Sequence, residues 1–128
     1  MKKIHQPPIG IIITMGKEVI EANGGGHEWQ KHFESCVRDE DSGFWLHKSR
    51  NAPREDIATV YVIAENFVQY KVFYGGYERG PTSVWMSWGE ERKIDWPRMI
   101  LAGPFEKAPV DIEMRGFQGF RYIYEPLW

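Results

Sequence analysis

The sequence predicts an α+β fold: a small, mixed but mainly antiparallel β-barrel with one or two helices packed on it. Three observations carry that prediction. Short runs of β-branched and aromatic residues recur at turn spacing over most of the chain. Helical periodicity is concentrated early, in residues 17–37. Aromatic side chains make up 15% of the residues, with six Trp, six Tyr and seven Phe, so a small core has many wide rings to place. An open α+β sheet is the alternative arrangement of the same elements.

Residues 10–14 are a continuous apolar, β-branched run, the pattern of a strand buried on both faces, and are placed centrally. Residues 17–22 predict one or two helical turns, stopped by Asn23 and the glycines 24–26. The clear helix spans 27–37. Trp29, Phe33, Cys36 and Val37 form its apolar stripe, which should lie on the sheet. After a charged loop at 38–42, residues 44–48 read as a strand with Trp45 and His47 on one side. Residues 59–64 and 67–74 predict a hairpin about the two-residue turn Glu65–Asn66. On its second strand Val68, Tyr70, Val72 and Tyr74 share a face. Beyond the Gly75, Gly76 and Gly80–Pro81 turns, residues 83–88 pair with 92–96 across Gly89. Residues 98–101 read as either a last helical turn or a strand, and 110–114 and 120–124 as closing strands.

At 128 residues the chain has the size of a single domain, 1–128, and no linker or repeat divides it. A net charge of −2 creates no overall field toward nucleic acid or an anionic membrane, so any nucleic-acid contact must be local. The lone Cys36 excludes an internal disulfide, which fits a reducing, cytoplasmic setting. The longest apolar run, 9–15, is far short of the about 20 residues of a membrane span, and Pro7 and Pro8 stand where a signal peptide needs its apolar stretch. No membrane partner is expected.

Candidate chemistry narrows by geometry. His27 and His32 lie five positions apart, which turns them about 140° around a helix, so they cannot share one ion. No metal and no cofactor are expected. Cys36 falls on the apolar stripe, where an inert buried thiol is the ordinary outcome. Glycines 24–26 precede a helix and can form either a phosphate nest or a simple flexible turn. A richer segment is Trp45, His47, Lys48, Ser49 and Arg50, where a strand end combines a ring with cationic and polar donors. Its alternative is a half-buried strand entering a solvated basic loop. Near the C-terminus, Arg115, Phe117, Gln118 and Arg121 combine a π face, an amide that can read a base edge and two guanidinium groups. The same residues would also serve as a tight turn plugging a barrel end.

The run Phe-Trp-Leu-His-Lys-Ser from Phe44, with Thr-Val-Tyr-Val-Ile-Ala and Val-Gln-Tyr-Lys-Val-Phe-Tyr-Gly-Gly-Tyr further on, resembles the sheet of the PUA-like superfamily, including its EVE and ASCH domains. The EVE strand end Trp-Leu-x-Lys-Ser, which helps form that family's pocket, is matched by Trp45, Leu46, Lys48 and Ser49. Of the ASCH motif Gly-x-Lys-x-x-Glu-x-Arg the chain carries Gly16, Lys17 and Glu21, with Asn23 and no arginine at its end. The resemblance implies a small β-barrel whose cleft accepts a nucleobase, a modified nucleotide or a flipped base.

Three function classes follow. The first is a binding module for nucleic acid or a modified nucleobase or nucleotide, with the base stacked on Trp45 or Phe117 and phosphate held by Lys48, Arg50, Arg115 or Arg121. The second is a small ASCH-type nucleoside or nucleotide hydrolase, with Lys17 as a desolvated base or nucleophile and Glu21, one helical turn away, as its proton partner. The third is a protein-interaction domain, in which the aromatics of 83–96 form a homodimer interface.

Overall fold

The structure, a computed structural model, describes residues 6–41, 43–85, 88–94 and 96–128. The elements in chain order are β1 (Gly10–Thr14), α1 (Lys17–Ala22), α2 (Gly26–Cys36), β2 (Phe44–Lys48), β3 (Thr59–Ala64), β4 (Phe67–Glu78), β5 (Thr82–Trp85), β6 (Glu91–Ile94), β7 (Arg98–Lys107) and β8 (Phe120–Ile123). Six strands form one sheet in the order β2-β7-β4-β3-β1-β8, and β5 and β6 form a separate two-stranded ribbon. Among the described residues only β1 and β3 run parallel, joined through both helices and β2, and every other strand pair is antiparallel. The α+β class and the mainly antiparallel sheet are thus observed. The ladder ends at β2 and β8, so its pairings form an open sheet.

Both faces of the sheet are covered. On the inner face Ile11, Ile13, Val60, Val62, Tyr70, Val72, Met99 and Leu101 meet the stripe of α2. Phe33 is fully buried, with its ring 5.4 Å from Trp45 and 5.1 Å from Tyr70. On the outer face Ile12, Tyr61, Ile63 and Val68 lie under Ile112, Met114, Phe117, Leu127 and Trp128. The Tyr61 hydroxyl anchors this tail, accepting from the Leu127 N–H at 3.1 Å and donating to the Trp128 carbonyl at 3.2 Å.

A polar clasp ties α2 to the sheet. The Tyr70 hydroxyl donates to the Glu34 carboxylate, which also lies 3.6 Å from Lys107 Nζ on β7. Burial and the neighbouring Glu34 carboxylate hold the Tyr70 phenol well above its ordinary pKa, so it remains a donor at any physiological pH. A hydrogen bond to a charged group contributes about 1.5–3 kcal/mol. Tyr70→Phe should therefore lower the unfolding free energy by about 2 kcal/mol in urea titrations, and an unchanged midpoint would refute the clasp.

Five differences from the expected elements have identifiable causes. β1 lies one strand in from the edge rather than centrally, because the parallel crossover places β3 beside it and β8 closes over its other side. Val68 does not share a face with Tyr70: Val62 pairs with Tyr70 and Ile63 with Val68, so Gln69 is an extra residue that turns Val68 to the outer cluster. β4 runs on through Gly75 and Gly76 to Glu78; Gly76 adopts φ 118 and pairs with Ile100 at an irregularity in the ladder. β7 is a ten-residue strand instead of a short turn or strand at 98–101, since Gly103 and Pro104 fall where its pairing with β4 shifts and the missing proline N–H is tolerated. Residues 110–114 form no strand, only an isolated bridge between Glu113 and Phe67, because Ile112 and Met114 cross the outer cluster instead of extending the sheet. The predicted 83–88 and 92–96 pairing is observed as β5 and β6, with Met86, Ser87 and Asp95 outside the described residues.

Candidate functional site

The two edges of the sheet border one hollow. A cavity of about 700 Å³ is lined by Lys48, Ser49, Arg50 and Asn51 after β2, by Trp96 before β7, and by Gln118, Gly119 and Phe120 at the start of β8. The sheet curls enough to bring β2 and β8 to facing walls, and residues 49–57 bridge them. Three hydrogen bonds fix that bridge. Ser49 N–H donates to the Pro97 carbonyl at 3.3 Å, Tyr77 Oη donates to the Ser49 carbonyl at 2.7 Å, and Arg54 N–H donates to Tyr122 Oη at 3.0 Å. Lys48 and Arg50 are both exposed at the rim.

The lining chemistry is selective. It offers two cations, the side-chain amides of Asn51 and Gln118, the Ser49 hydroxyl and the rings of Trp96 and Phe120. None of these residues is a carboxylate, a cysteine or a histidine. The described lining can neutralise phosphate, stack a planar ring and pair with its edge, and among the described residues it contains no general base that works near neutral pH.

Of the residues singled out in the sequence, Lys48, Ser49, Arg50 and Gln118 meet at this cavity. The others do not. Trp45 is 8% exposed on the inward face of β2, with its ring against Phe33 and 5.5 Å from His32, so it is a core residue and not a stacking platform. His47 shares that face and pairs with Met99. Burial, with a smaller contribution from the Arg98 charge, lowers its pKa to about 4. Phe117 packs in the outer cluster, and the Arg121 guanidinium covers its ring at 4.1 Å, so both are engaged with each other on the far side of β8. The Phe117 N–H donates to Thr14 Oγ1 at 3.0 Å and fixes the loop there. Arg115 is exposed and lies outside the cavity lining.

Trp96, Phe120 and Asn51 also line the cavity; the sequence reading placed Trp96 and Phe120 in strands and gave Asn51 no role. Pro97 favours extended backbone at Trp96, just before β7 begins at Arg98. Phe120 follows Gly119, whose φ of 76 turns the chain into the cavity wall.

Lys17 and Glu21 border a second hollow of about 570 Å³ at the ends of β1 and β3. Their charges are 3.8 Å apart with side chains 88% and 64% exposed, so Lys17 is solvated rather than desolvated as a catalytic base would require. The glycine turn before α2 is already faced by an anion: a Cβ at Gly26 would lie 2.3 Å from Glu65 Oε1. Cys36 is half-buried, and burial raises its thiol pKa further above neutrality. Among the described residues no group of three His, Cys, Asp or Glu side chains is placed to hold a metal ion, and no helix is long and apolar enough to cross a membrane. No protein-family model, curated protein or solved structure matches the chain.

Proposed function

We propose that the cavity between β2 and β8 is a binding site for a nucleobase carried on a nucleotide or nucleic acid, and that the protein is a binding module rather than a hydrolase. The observation that carries this reading is the convergence of Lys48 and Arg50 with Trp96, Phe120, Gln118 and Asn51 on one cavity, with no acidic side chain among the described lining residues. In this reading the base stacks on Trp96, the two amides contact its edge, and the cations hold phosphate. The curled six-stranded sheet then corresponds to an incompletely closed barrel of PUA-like kind, with its cleft at the seam. A cytoplasmic setting fits such a ligand and the lone thiol.

Titration at low salt with nucleoside 5′-monophosphates and single-stranded oligonucleotides, modified and unmodified, tests the reading through Trp fluorescence. Binding should quench the signal, and Trp96→Ala should weaken it about tenfold, the magnitude of one base–aromatic stack. Two phosphate contacts give a slope of about −1.4 for log K against log salt on a single strand, which Lys48→Ala with Arg50→Ala should flatten. Absence of any quench by these ligands at low salt would remove the proposal.

A further inference from the structure

We infer that the hollow between residues 52–57 and the end of β4 is a second binding site, and that it takes an alkylated ammonium cation. It measures about 740 Å³ and shares no lining residue with the cavity between β2 and β8, so it does not rest on the nucleotide reading. Its wall of rings is a product of the sheet. Side chains three apart on a regular strand face opposite ways. In β4, however, Tyr74 pairs with Leu101 and Tyr77 with Met99, which are two positions apart on β7. The Gly75–Gly76 step therefore holds one extra residue, and both rings fall on the same face. Both tyrosines are half-buried, and each is tied to a residue flanking the 52–57 segment. The Tyr77 hydroxyl donates to the Ser49 carbonyl at 2.7 Å, and the Tyr74 N–H donates to the Ala58 carbonyl at 2.9 Å. The rings are held in place before any ligand arrives.

The chemistry of the lining selects a cation. Tyrosine faces carry negative charge density, and the lining residues add two carboxylates, Glu55 and Glu78, against one guanidinium, Arg79. Glu55 forms no ion pair among the described residues. Its charge reaches the Tyr74 phenol: burial and then Glu55 raise that group's pKa, so Tyr74 stays neutral with its ring beside the carboxylate. The chain already places one cation here. Arg79 is exposed, and its guanidinium lies 5.6 Å from the Tyr77 ring centre, near the outer limit of about 6 Å for such a contact. That is a loose contact on one ring, open to displacement by a cation that fits between both. A guanidinium must satisfy five N–H donors, whereas Pro53 and Ile57 beside the rings offer no side-chain acceptor. An alkylated ammonium needs no hydrogen bonds and suits rings, apolar walls and a carboxylate together.

The test follows the ring protons of Tyr74 and Tyr77 by NMR during titration with tetramethylammonium, on wild type, Glu55→Gln and Arg79→Gln. Both substitutions are at exposed positions, and unchanged urea midpoints verify the fold. Tetramethylammonium should shift both rings saturably, and the neutral tert-butyl alcohol should not. Glu55→Gln should weaken binding about threefold, and Arg79→Gln should strengthen it about threefold by removing the internal competitor. Choline and a trimethyllysine peptide, run as further arms, distinguish a free ammonium compound from a protein side chain by which of them binds more tightly. No saturable ring shift in either wild type or Arg79→Gln would overturn the site, as would tert-butyl alcohol binding as tightly as the cation. Weaker binding in Arg79→Gln, or methylguanidinium binding more tightly than tetramethylammonium, would overturn the assignment of an alkylated ammonium.

Discussion

Gly103→Ala should lower the unfolding free energy of this protein by about 3 kcal/mol. Gly103 lies on β7 where the strand passes the end of α2, and the contact is backbone on backbone. A Cβ at this position would stand 2.1 Å from the Val37 carbonyl oxygen and 2.5 Å from its carbon. The same carbonyl accepts the Phe105 N–H at 2.9 Å, so it cannot swing away without losing that bond. Relief requires moving the helix end or the strand, and forced shifts of that kind fall in or above the range of about 1–3 kcal/mol for overpacked cores. Gly16 supplies the control, because an added Cβ there meets nothing within 4 Å. Urea titrations should show a lower midpoint for Gly103→Ala than for Gly16→Ala. Equal midpoints would mean that α2 is not seated on β7 as described.

The elements that the sequence made legible are those whose pattern depends on one neighbour. Residues 10–14, 44–48 and 59–64 carry uninterrupted strand signals, and β1, β2 and β3 occupy those positions. The Glu65–Asn66 turn was readable from its two-residue length, and both residues adopt the positive φ, 53 and 67, that such a turn requires. What was not legible depends on partners distant in sequence. Nothing local announces that Gln69 is extra in the β3–β4 ladder, because the bulge arises from satisfying Tyr70 on the inner face and Val68 on the outer face at once. The ten-residue length of β7 is also a tertiary outcome, since β2 pairs with its first half and β4 carries it past Pro104 to Lys107.

The candidate site divides along the same line. Lys48, Ser49, Arg50 and Gln118 were identifiable as polar groups at element ends, where side chains are free to meet a ligand. Trp45 and Phe117 were misassigned because a ring's sequence neighbours do not say which face of the sheet it takes. Alternation along β2 puts Trp45 inward against Phe33, and alternation along the wall of β8 puts Phe120 inward and Arg121 outward. Trp96 is the tryptophan that lines the cavity with Gln118, a juxtaposition of residues 22 positions apart that no local pattern announces.

Acid should weaken this protein through the His47 imidazole. His47 titrates at about 4 in the fold against about 6.5 when unfolded, since burial and then the Arg98 charge disfavour its cation. Below pH 6.5 the unfolded chain binds a proton that the folded chain refuses, so stability falls with pH from 6.5 down to about 4 and is fully present above 6.5. At about 1.4 kcal/mol per pH unit the limit is about 3 kcal/mol, and water reaching the half-buried ring reduces it to about 2 kcal/mol. His47→Gln removes the titration while keeping a polar side chain of similar reach. Unfolding midpoints of wild type and His47→Gln, compared at pH 7, 5.5 and 4.5, should converge as the pH falls, because carboxylate titrations are common to both and cancel. Curves that stay parallel across that interval would show that the imidazole takes its proton as readily in the fold as outside it.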